Sequence, residues 1–544
     1  MTLREQFARR PHVWAVLLIL VPALLRLWFV ATSQLDLVQD EAQYWDWTRR
    51  LQLTYYSKGP LIAWIIAAGT HFFGDTELGV RVGSLAGSML AQVLIYLCLA
   101  LGWKRPRAGL LTLAVINSTP LFLALGVLMT TDNPFVLCWA GAMFALYQCA
   151  TAKAGTAGSD ARDTSGAPGA RGRAGFWPFV FLAFFLALGI LAKYTMLAFV
   201  GPALVWALVL DRKEGLPRGF WPRLAKALAV GLVLGFLPTL IWNVQNGFVG
   251  YKHVFDLIGV TGAQSAQLFR LDRFPEYFGS QVGLATPWWL WFMLVGGWGA
   301  VRGLFGKGTE SGDPLGLTFR QGLLLALFFW PVWLFFLAWS FHAKVLPNWT
   351  TVSYVAGAVL AALAFEEYWE RSEAKGGKGP KRIALASLAV IAILHGQNLL
   401  PLPDEFNPTA RLKGWSDLGQ KMEALRLDMP VPDQVFLFSE SYDVTAALAF
   451  STPGHPRTYC AWLDRRMNQY DLWPGPQDKV GWDAIYVRKD FKNEVEPGVQ
   501  DLFAEIGPPI HYQTTHRGAP ARKFTIFLCR GYNGAWPRDD RGNF

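Results

Sequence analysis

Long apolar runs decide what this chain can become. About eleven stretches of roughly 18 or more mainly apolar residues fall at 13–32, 77–103, 108–127, 134–151, 177–192, 195–210, 225–242, 286–301, 321–340, 350–365 and 383–402. A helix needs about 20 such residues to cross the hydrocarbon of a bilayer, and a water-soluble core needs none so long. Charge agrees: Asp, Glu, Lys and Arg make up 17% of the 544 residues, where soluble domains carry about 25%. The chain reads as an α-helical polytopic membrane protein with about 11 transmembrane helices. The first run carries Arg26 inside it and no small-residue cleavage site after it, so it reads as a retained helix rather than a signal peptide.

Net charge is +10, but the cations lie between apolar runs, where a positive-inside topology accounts for them and nucleic acid is not implied. With the N-terminus inside, the basic segments at 4–10, 104–107, 153–173, 212–226, 302–320 and 371–382 all fall on the inner face. Eleven crossings then place the C-terminus outside. The Gly-, Ala- and Ser-rich stretch 154–174 reads as a disordered inner loop.

Past Pro401 the composition shifts to balanced charge without spanning runs, giving two domains: 1–402 in the membrane and 403–544 as a small extracytoplasmic α/β domain. Its strands are expected at QVFLF (434–438), AIYVRK (484–489) and RKFTIFLCR (522–530), and helices at TAALAF (445–450) and GVQDLFAEI (498–506). Cys460 and Cys529 would lie in an oxidising compartment, and spacing leaves open whether they meet in a disulfide. Cys98, Cys138 and Cys149 read as packing residues in spans.

Chemistry is sought among ionisable groups near the outer ends of spans, because charge beside hydrocarbon is expensive and usually functional. The first outer loop opens with QDEAQYWDW, which places Asp40 and Glu41 side by side among Tyr44, Trp45 and Trp47. It continues through Tyr55 into YYSKGP, with Lys58, and then into a short apolar segment, 61–73, read with the first aromatics as helices lying in the interface. Further outer candidates are Asp132 in TTDNP, Lys193 in LAKYT, Asn243 and Asn246 in WNVQNGF, Lys252 and His253, and the group His342, Lys344 and Asn348. Most have an ordinary structural reading as well. Asp132 suits a helix start, Lys193 a snorkelling turn residue, the aromatics an interfacial belt, and His342 with Lys344 a solvated loop. Asp40 and Glu41 have no capping or topological duty of that kind.

The strings DEAQYWDW, YYSKGP, GVRVG (79–83), TTDNP, LAKYT and WN (242–243) resemble, in order and spacing, the GT-C class of polyprenyl-phosphate-sugar-dependent glycosyltransferases. Within it the chain is similar to bacterial aminoarabinose transferases of lipid A and to protein O-mannosyltransferases. RRMNQYDLW (465–473) resembles a segment found in bacterial members, and the resemblance spans nearly the whole chain. It implies a sugar donor on polyprenyl phosphate, such as undecaprenyl phosphate, entering a cavity at the outer face of a bacterial inner membrane. The implied acceptor is lipid A or another envelope glycolipid. Asp40 matches the catalytic aspartate, with Glu41 and Asp132 completing the acidic side. Lys58 matches a donor-phosphate ligand, and Lys193, Arg81 and Lys344 are candidates by location. Tyr44, Tyr55, Asn243 and His342 are candidates for acceptor or sugar contacts, with Arg465, Arg466, Asn468 and Tyr470 at the domain interface.

The aminoarabinose transferases carry a metal-binding Glu immediately before the matched Lys, where this chain has Ser57. No zinc-ligand spacing such as HExxH appears, although His253, His342 and the carboxylates could still assemble a site in space, so no cofactor is expected to be required and a divalent metal stays open but in doubt. A Ser/Thr protein hydroxyl is the alternative acceptor, and a lipid or glycolipid transporter is the alternative outside the enzyme class.

Overall fold

The computed structural model describes residues 9–151, 175–257, 271–305, 315–396, 412–463 and 465–537, together with Thr409. Helices stand at each apolar run. They are α1 (Pro11–Ala31), α4 (Glu77–Leu97, prolonged by a π turn at Cys98–Gly102), α5 (Pro106–Ser118) with α6 (Pro120–Leu125), α7 (Asp132–Cys149), α8 (Trp177–Ala192), α9 (Val200–Lys213, entered through a 3₁₀ turn at Tyr194–Phe199), α10 (Phe220–Gln245), α13 (Pro287–Phe305), α14 (Phe319–Trp339), α15 (Ser353–Ala374) and α16 (Gly379–Gly396). Proline in the first turn, where its missing N–H is not needed, starts α1, α5, α6 and α8.

Five of these, Pro11–Ala31, Glu77–Gly102, Tyr194–Lys213, Phe220–Gln245 and Phe319–Trp339, are long and apolar enough to cross a membrane by length and composition among the described residues. That is a multi-pass arrangement, but it falls short of eleven by this measure. Pro120 cuts one run into helices of 13 and 6 residues, and α8 has 16. Arg26, the cation inside α1, donates to Asn117 at 3.0 Å and to Ser88 at 3.3 Å.

Between α1 and α4 the chain forms α2 (Gln39–Thr48) and α3 (Leu61–Phe73), and between α10 and α13 it forms α11 (Val249–Leu257) and α12 (Arg273–Ala285). The expected interfacial belt is not what α2 builds. Tyr44, Trp45 and Trp47 are all buried; Trp47 stacks on Tyr55 at 4.3 Å, and Trp45 meets Phe450 edge-on at 5.1 Å. An aromatic run beside two carboxylates reads like an interface helix until a second layer covers it, and here the C-terminal region does.

That region holds α17 (Trp415–Leu427), α18 (Tyr442–Ser451) and a six-stranded sheet: β1 (Val435–Ser439), β2 (Thr458–Cys460), β3 (Asp483–Lys489), β4 (Phe503–Ile506), β5 (Ile510–His516) and β6 (Ala519–Tyr532). The order is β2-β1-β3-β6-β4 with β5 also on β6; β1 is parallel to β2 and β3, and the rest is antiparallel. Segment 498–506, read as a helix, is instead a 3₁₀ turn at Gln500–Leu502 followed by β4. The long β6 leaves an edge whose pairing, Glu505 opposite Arg530, outweighs the weak helical preference of so short a run. Cys460 and Cys529 are both free thiols. They lie on β2 and β6, three strand spacings apart, or about 14 Å, far beyond disulfide reach. The expected boundary at 402/403 and the loop 154–174 lie outside the described residues.

Two contacts fix this region over the first outer loop. The Asp36 carboxylate accepts from the Trp415 N–H at 2.8 Å and from the Ser416 hydroxyl at 2.6 Å, capping α17 from a distant part of the chain. Buried Gln469 accepts from the Tyr56 N–H at 2.7 Å, two residues before Lys58.

Candidate active site

The site is built by the first turn of α2, the turn before α3, the start of α7 and the end of α8. Asp40 and Glu41 are neighbours in that first turn, so their side chains leave the helix about 100° apart. Glu41 turns inward. It accepts from the Val38 N–H at 3.0 Å and the Met129 N–H at 2.7 Å, and it pairs with Arg81 of α4 at 2.7 Å. Arg81 also donates to the carbonyls of Leu35 at 2.9 Å and Asp36 at 2.7 Å. Both side chains of the pair are essentially sealed, at 0% and 1% exposure. The roles expected for Glu41 on the acidic wall and for Arg81 at the donor phosphate therefore do not fit: each is saturated by the other and by backbone.

A second pair sits at the start of α7. Asp132 accepts from the Lys193 ammonium at 2.8 Å and from the Asn348 amide at 2.6 Å. It is the first residue of the helix, while the backbone bonding falls to Asn133, which donates to the carbonyls of Leu125 and Ser84. Lys193 reaches it because α8 ends there and the chain turns into extended geometry.

Lys58 is brought to the same place by Gly59. A Cβ on Gly59 would lie 2.0 Å from the Leu191 carbonyl, so only glycine lets the turn press against the end of α8. The Lys58 carbonyl accepts from the Tyr55 N–H at 3.2 Å and the Thr54 hydroxyl at 3.1 Å, which closes the turn and leaves the ammonium to project. Among the described residues neither the Asp40 carboxylate nor the Lys58 ammonium has a hydrogen-bonded or ion-paired partner, yet each lies within electrostatic range of the other. Asp40 presents accessible surface and Lys58 some, while both are surrounded by protein. Burial raises the Asp40 carboxyl above its ordinary range, opposed by Lys58 and reinforced by Asp443 and Glu41. Burial, then Lys193, lowers the Lys58 ammonium, opposed by Asp40 and Asp132.

Tyr44 stands between these groups; burial, then Asp40 and Asp132, pushes its phenol well up. Two residues that sequence reasoning missed come from the C-terminal region. Tyr442 and Asp443 open α18, and both act electrostatically on the Asp40 or Tyr44 groups. Asp443 is itself paired with Lys489 of β3. The only signal in the sequence was a Ser-Tyr-Asp helix start, which by itself says nothing of what lies opposite.

Other expected contacts are not brought together. Tyr55 is buried and bonded to the Trp47 carbonyl at 3.1 Å and the Gln52 N–H at 3.2 Å. Asn243 is buried, tying the end of α10 to α11 (Val249–Leu257) through the Tyr251 N–H at 3.0 Å. Lys344 makes an exposed pair with Glu276 at 3.6 Å, His342 packs on Trp339 in the same turn, and neither is among the charges that act on Asp40 or Lys58. Arg465 is locked by Asp471 at 2.7 Å and by the carbonyls of Ala461 and Cys460. Asn468 caps its own turn, Tyr470 is buried beside Asp46, and Arg466 pairs with Asp256 at 3.4 Å. His253 packs on Tyr56 at 4.6 Å, and burial with Arg466 and Lys58 lowers its imidazole to about 4.

No group of three or more His, Cys, Asp or Glu converges among the described residues, and Ser57 stands before Lys58.

A family model described as dolichyl-phosphate-mannose-protein mannosyltransferase matches residues 57–157. The lipid A galacturonosyltransferase RgtD of Rhizobium johnstonii is 28% identical over 344 residues, covering 62% of this chain and 62% of its own. The undecaprenyl phosphate-alpha-4-amino-4-deoxy-L-arabinose arabinosyl transferase 1 of Pseudomonas fluorescens is 25% identical over 307 residues, covering 52% and 48%. The chain thus spans 62% and 48% of these curated relatives. In three dimensions it is similar to ArnT from Cupriavidus metallidurans bound to undecaprenyl phosphate, with TM-score 0.59, 15% identity and coverage of 95% and 98%. It is also similar to the oligosaccharyltransferase of Archaeoglobus fulgidus, with TM-score 0.53, 13% identity and coverage of 88% and 69%.

Proposed function

We propose that this chain, whose fold and relatives are those of the GT-C glycosyltransferases, moves a sugar from a polyprenyl phosphate, undecaprenyl phosphate in bacteria, onto lipid A or a similar envelope glycolipid. The observation that carries the reading is the open pair. Two of three neighbouring acid–base couples, Glu41–Arg81 and Asp132–Lys193, are closed at 2.7 and 2.8 Å. The third, Asp40 and Lys58, lies within electrostatic range but is not closed by a hydrogen bond or ion pair. An uncompensated ammonium within so much protein is costly unless a ligand supplies the anion, and a phosphate does so.

In the proposed reaction the acceptor oxygen attacks the anomeric carbon, the bond from that carbon to the phosphate oxygen breaks, and the configuration inverts. An acceptor hydroxyl loses its proton to the Asp40 carboxylate; an acceptor phosphate is already ionised, and Asp40 orients it. Lys58 stabilises the charge that grows on the leaving polyprenyl phosphate. Asp132 and Asn348 hold Lys193 beside Lys58, which keeps a second cation near the phosphate. No step needs a metal. The basic inner segments favour an inner-membrane protein with the cavity on the periplasmic side.

Mass spectrometry of envelope lipids and polyprenyl-phosphate sugars, in cells with the chain, without it and with Asp40→Asn, tests this. The expected result is loss of one glycolipid and accumulation of one lipid-linked sugar in both defective strains. Unchanged lipids with altered glycoproteins would replace the acceptor by a protein hydroxyl, the reading suggested by the matched family model's description. No change in either would point to transport.

A further inference from the structure

We infer that a phosphate of the acceptor glycolipid is held away from the reacting centre by three arginines, Arg49, Arg50 and Arg457, at the corner where α2 ends against the C-terminal region. The inference rests on the acceptor read above and assigns it a second point of attachment.

The three come from two separate segments. Arg49 and Arg50 close α2, and Arg457 enters β2. Arg49 bonds the carbonyl of Pro456, the residue before Arg457, at 3.4 Å, which locks the two segments together. Arg50 lies over the Trp473 ring at 4.5 Å, and one of its terminal nitrogens, Nη1, is buried with no hydrogen-bond partner. Arg457 is exposed. Cations at a helix C-terminus are favourable, which explains one or two arginines there but not a third converging from another segment.

Opposing charge is scarce. Asp46 pairs with Arg49 at 3.3 Å but is buried among Trp and Tyr rings, and Asp478, which like Arg457 and Arg50 acts on Tyr459, has its own partner in Lys479 at 3.3 Å. Three guanidinium groups against one sheltered carboxylate, with an N–H left over, make a receptor for an anion with several oxygens, which guanidinium forks bind in pairs.

An apolar shelf adjoins the cluster. Leu51 and Leu53 are 55% and 41% exposed, and with Trp64, Trp242 and Asn246 they line a cleft of about 470 Å³. Cationic corner and apolar cleft together match an amphiphile with a phosphorylated head and acyl chains. Asp40 lies in the first turn of α2 and Arg50 two residues past its end, and the ten-residue helix between them is about 15 Å long. A lipid seated on the arginines would therefore be positioned by a group remote from the one that reacts, and α2 would act as its ruler.

The test measures binding of the full-length chain in nanodiscs to phosphorylated lipid A and to the same lipid after phosphatase treatment. Wild type and Asp40→Asn should both prefer the phosphorylated form by about tenfold or more, the range of a charged hydrogen-bonded contact. Arg50→Gln with Arg457→Gln should lose that preference, and in turnover assays the loss should appear in KM for the acceptor and not in KM for the donor. Arg457→Gln alone, at an exposed position, keeps the test clear of folding defects and should give a partial loss. If the preference survives in the double variant, the inference fails while the acceptor assignment stands. If binding to plain phosphatidylglycerol vesicles falls as much as binding to lipid A, the corner is a general membrane contact and the inference fails. If wild type neither binds lipid A nor transfers to it, the acceptor reading and the inference fall together.

Discussion

Asp40 and Glu41 are adjacent, share a helix turn and carry the same charge, yet the fold gives them opposite circumstances. Glu41 faces a dry interior where Arg81 and two backbone N–H groups satisfy it completely. Asp40 keeps accessible surface and no hydrogen-bonded or ion-paired partner among the described residues, and the cation acting on it, Lys58, stands apart. The lesson is about where free energy goes. A buried ion pair with full hydrogen bonding fixes geometry and does no chemistry, whereas a carboxylate raised by burial and left without a partner is available to a substrate.

The sharpest way to break this contrast is to neutralise each residue in turn. Asp40→Asn should reduce transfer by roughly 10²- to 10⁴-fold, the usual contribution of a positioned acid–base group, while leaving the chain folded. Radiolabelled sugar transfer in detergent checks the first part and thermal unfolding the second. Arg81→Met should do the reverse. It strands Glu41 in a sealed site and should destabilise the membrane-facing domain by about 3–5 kcal/mol, lowering Tm, with activity falling only as the folded fraction falls. A catalytic defect in correctly folded Arg81→Met would erase the distinction between the two residues.

Lys58→Ala comes next in size. Losing one charge-assisted contact costs about 1.5–3 kcal/mol, or about 10- to 100-fold in donor handling, and the loss should appear in donor KM or donor binding. Equal loss with Lys193→Ala would mean that the Asp132 pairing does not set Lys193 apart.

The sequence carried the helices well because their signal is redundant: each run is long, apolar and bounded by charge or proline. Asp40, Lys58, Asp132 and Lys193 were legible as a group because burying charge near apolar runs needs a reason, and that reasoning holds whatever the tertiary details. What it could not decide was which charges neutralise one another. Arg81 and Glu41 are 40 residues apart, and only the packing of α4 against α2 makes them a pair. Tyr55 and Asn243 failed as site residues for the same reason, since a polar side chain near an outer loop can turn equally toward backbone or cavity. Tyr442 and Asp443 were invisible because the contact that matters is between regions about 400 residues apart. The aromatics of α2 were misplaced because hydropathy cannot tell a lipid interface from a covering domain.

The smallest effect concerns pH, and its sign follows from the same comparison. Burial raises the Asp40 carboxyl in the folded chain, so the folded state holds that proton more tightly than the unfolded one. Its influence is then most favourable at low pH and turns unfavourable as pH rises through the folded value. Asp40→Asn, neutral throughout, should therefore unfold at a slightly higher temperature than wild type near neutrality, with the difference vanishing in acid. Activity has two limbs. The acid limb, set by Asp40, should lie above the ordinary carboxylate range. The alkaline limb, set by Lys58, whose ammonium is lowered chiefly by burial, should lie below the ordinary lysine range. The window is narrower than free side chains would give, and Lys58→Arg should widen it on the alkaline side alone, because a guanidinium does not titrate there. If Lys58→Arg moved the acid limb as well, Asp40 and Lys58 would be a closed pair in solution, and the difference between the two neighbouring carboxylates would be one of degree.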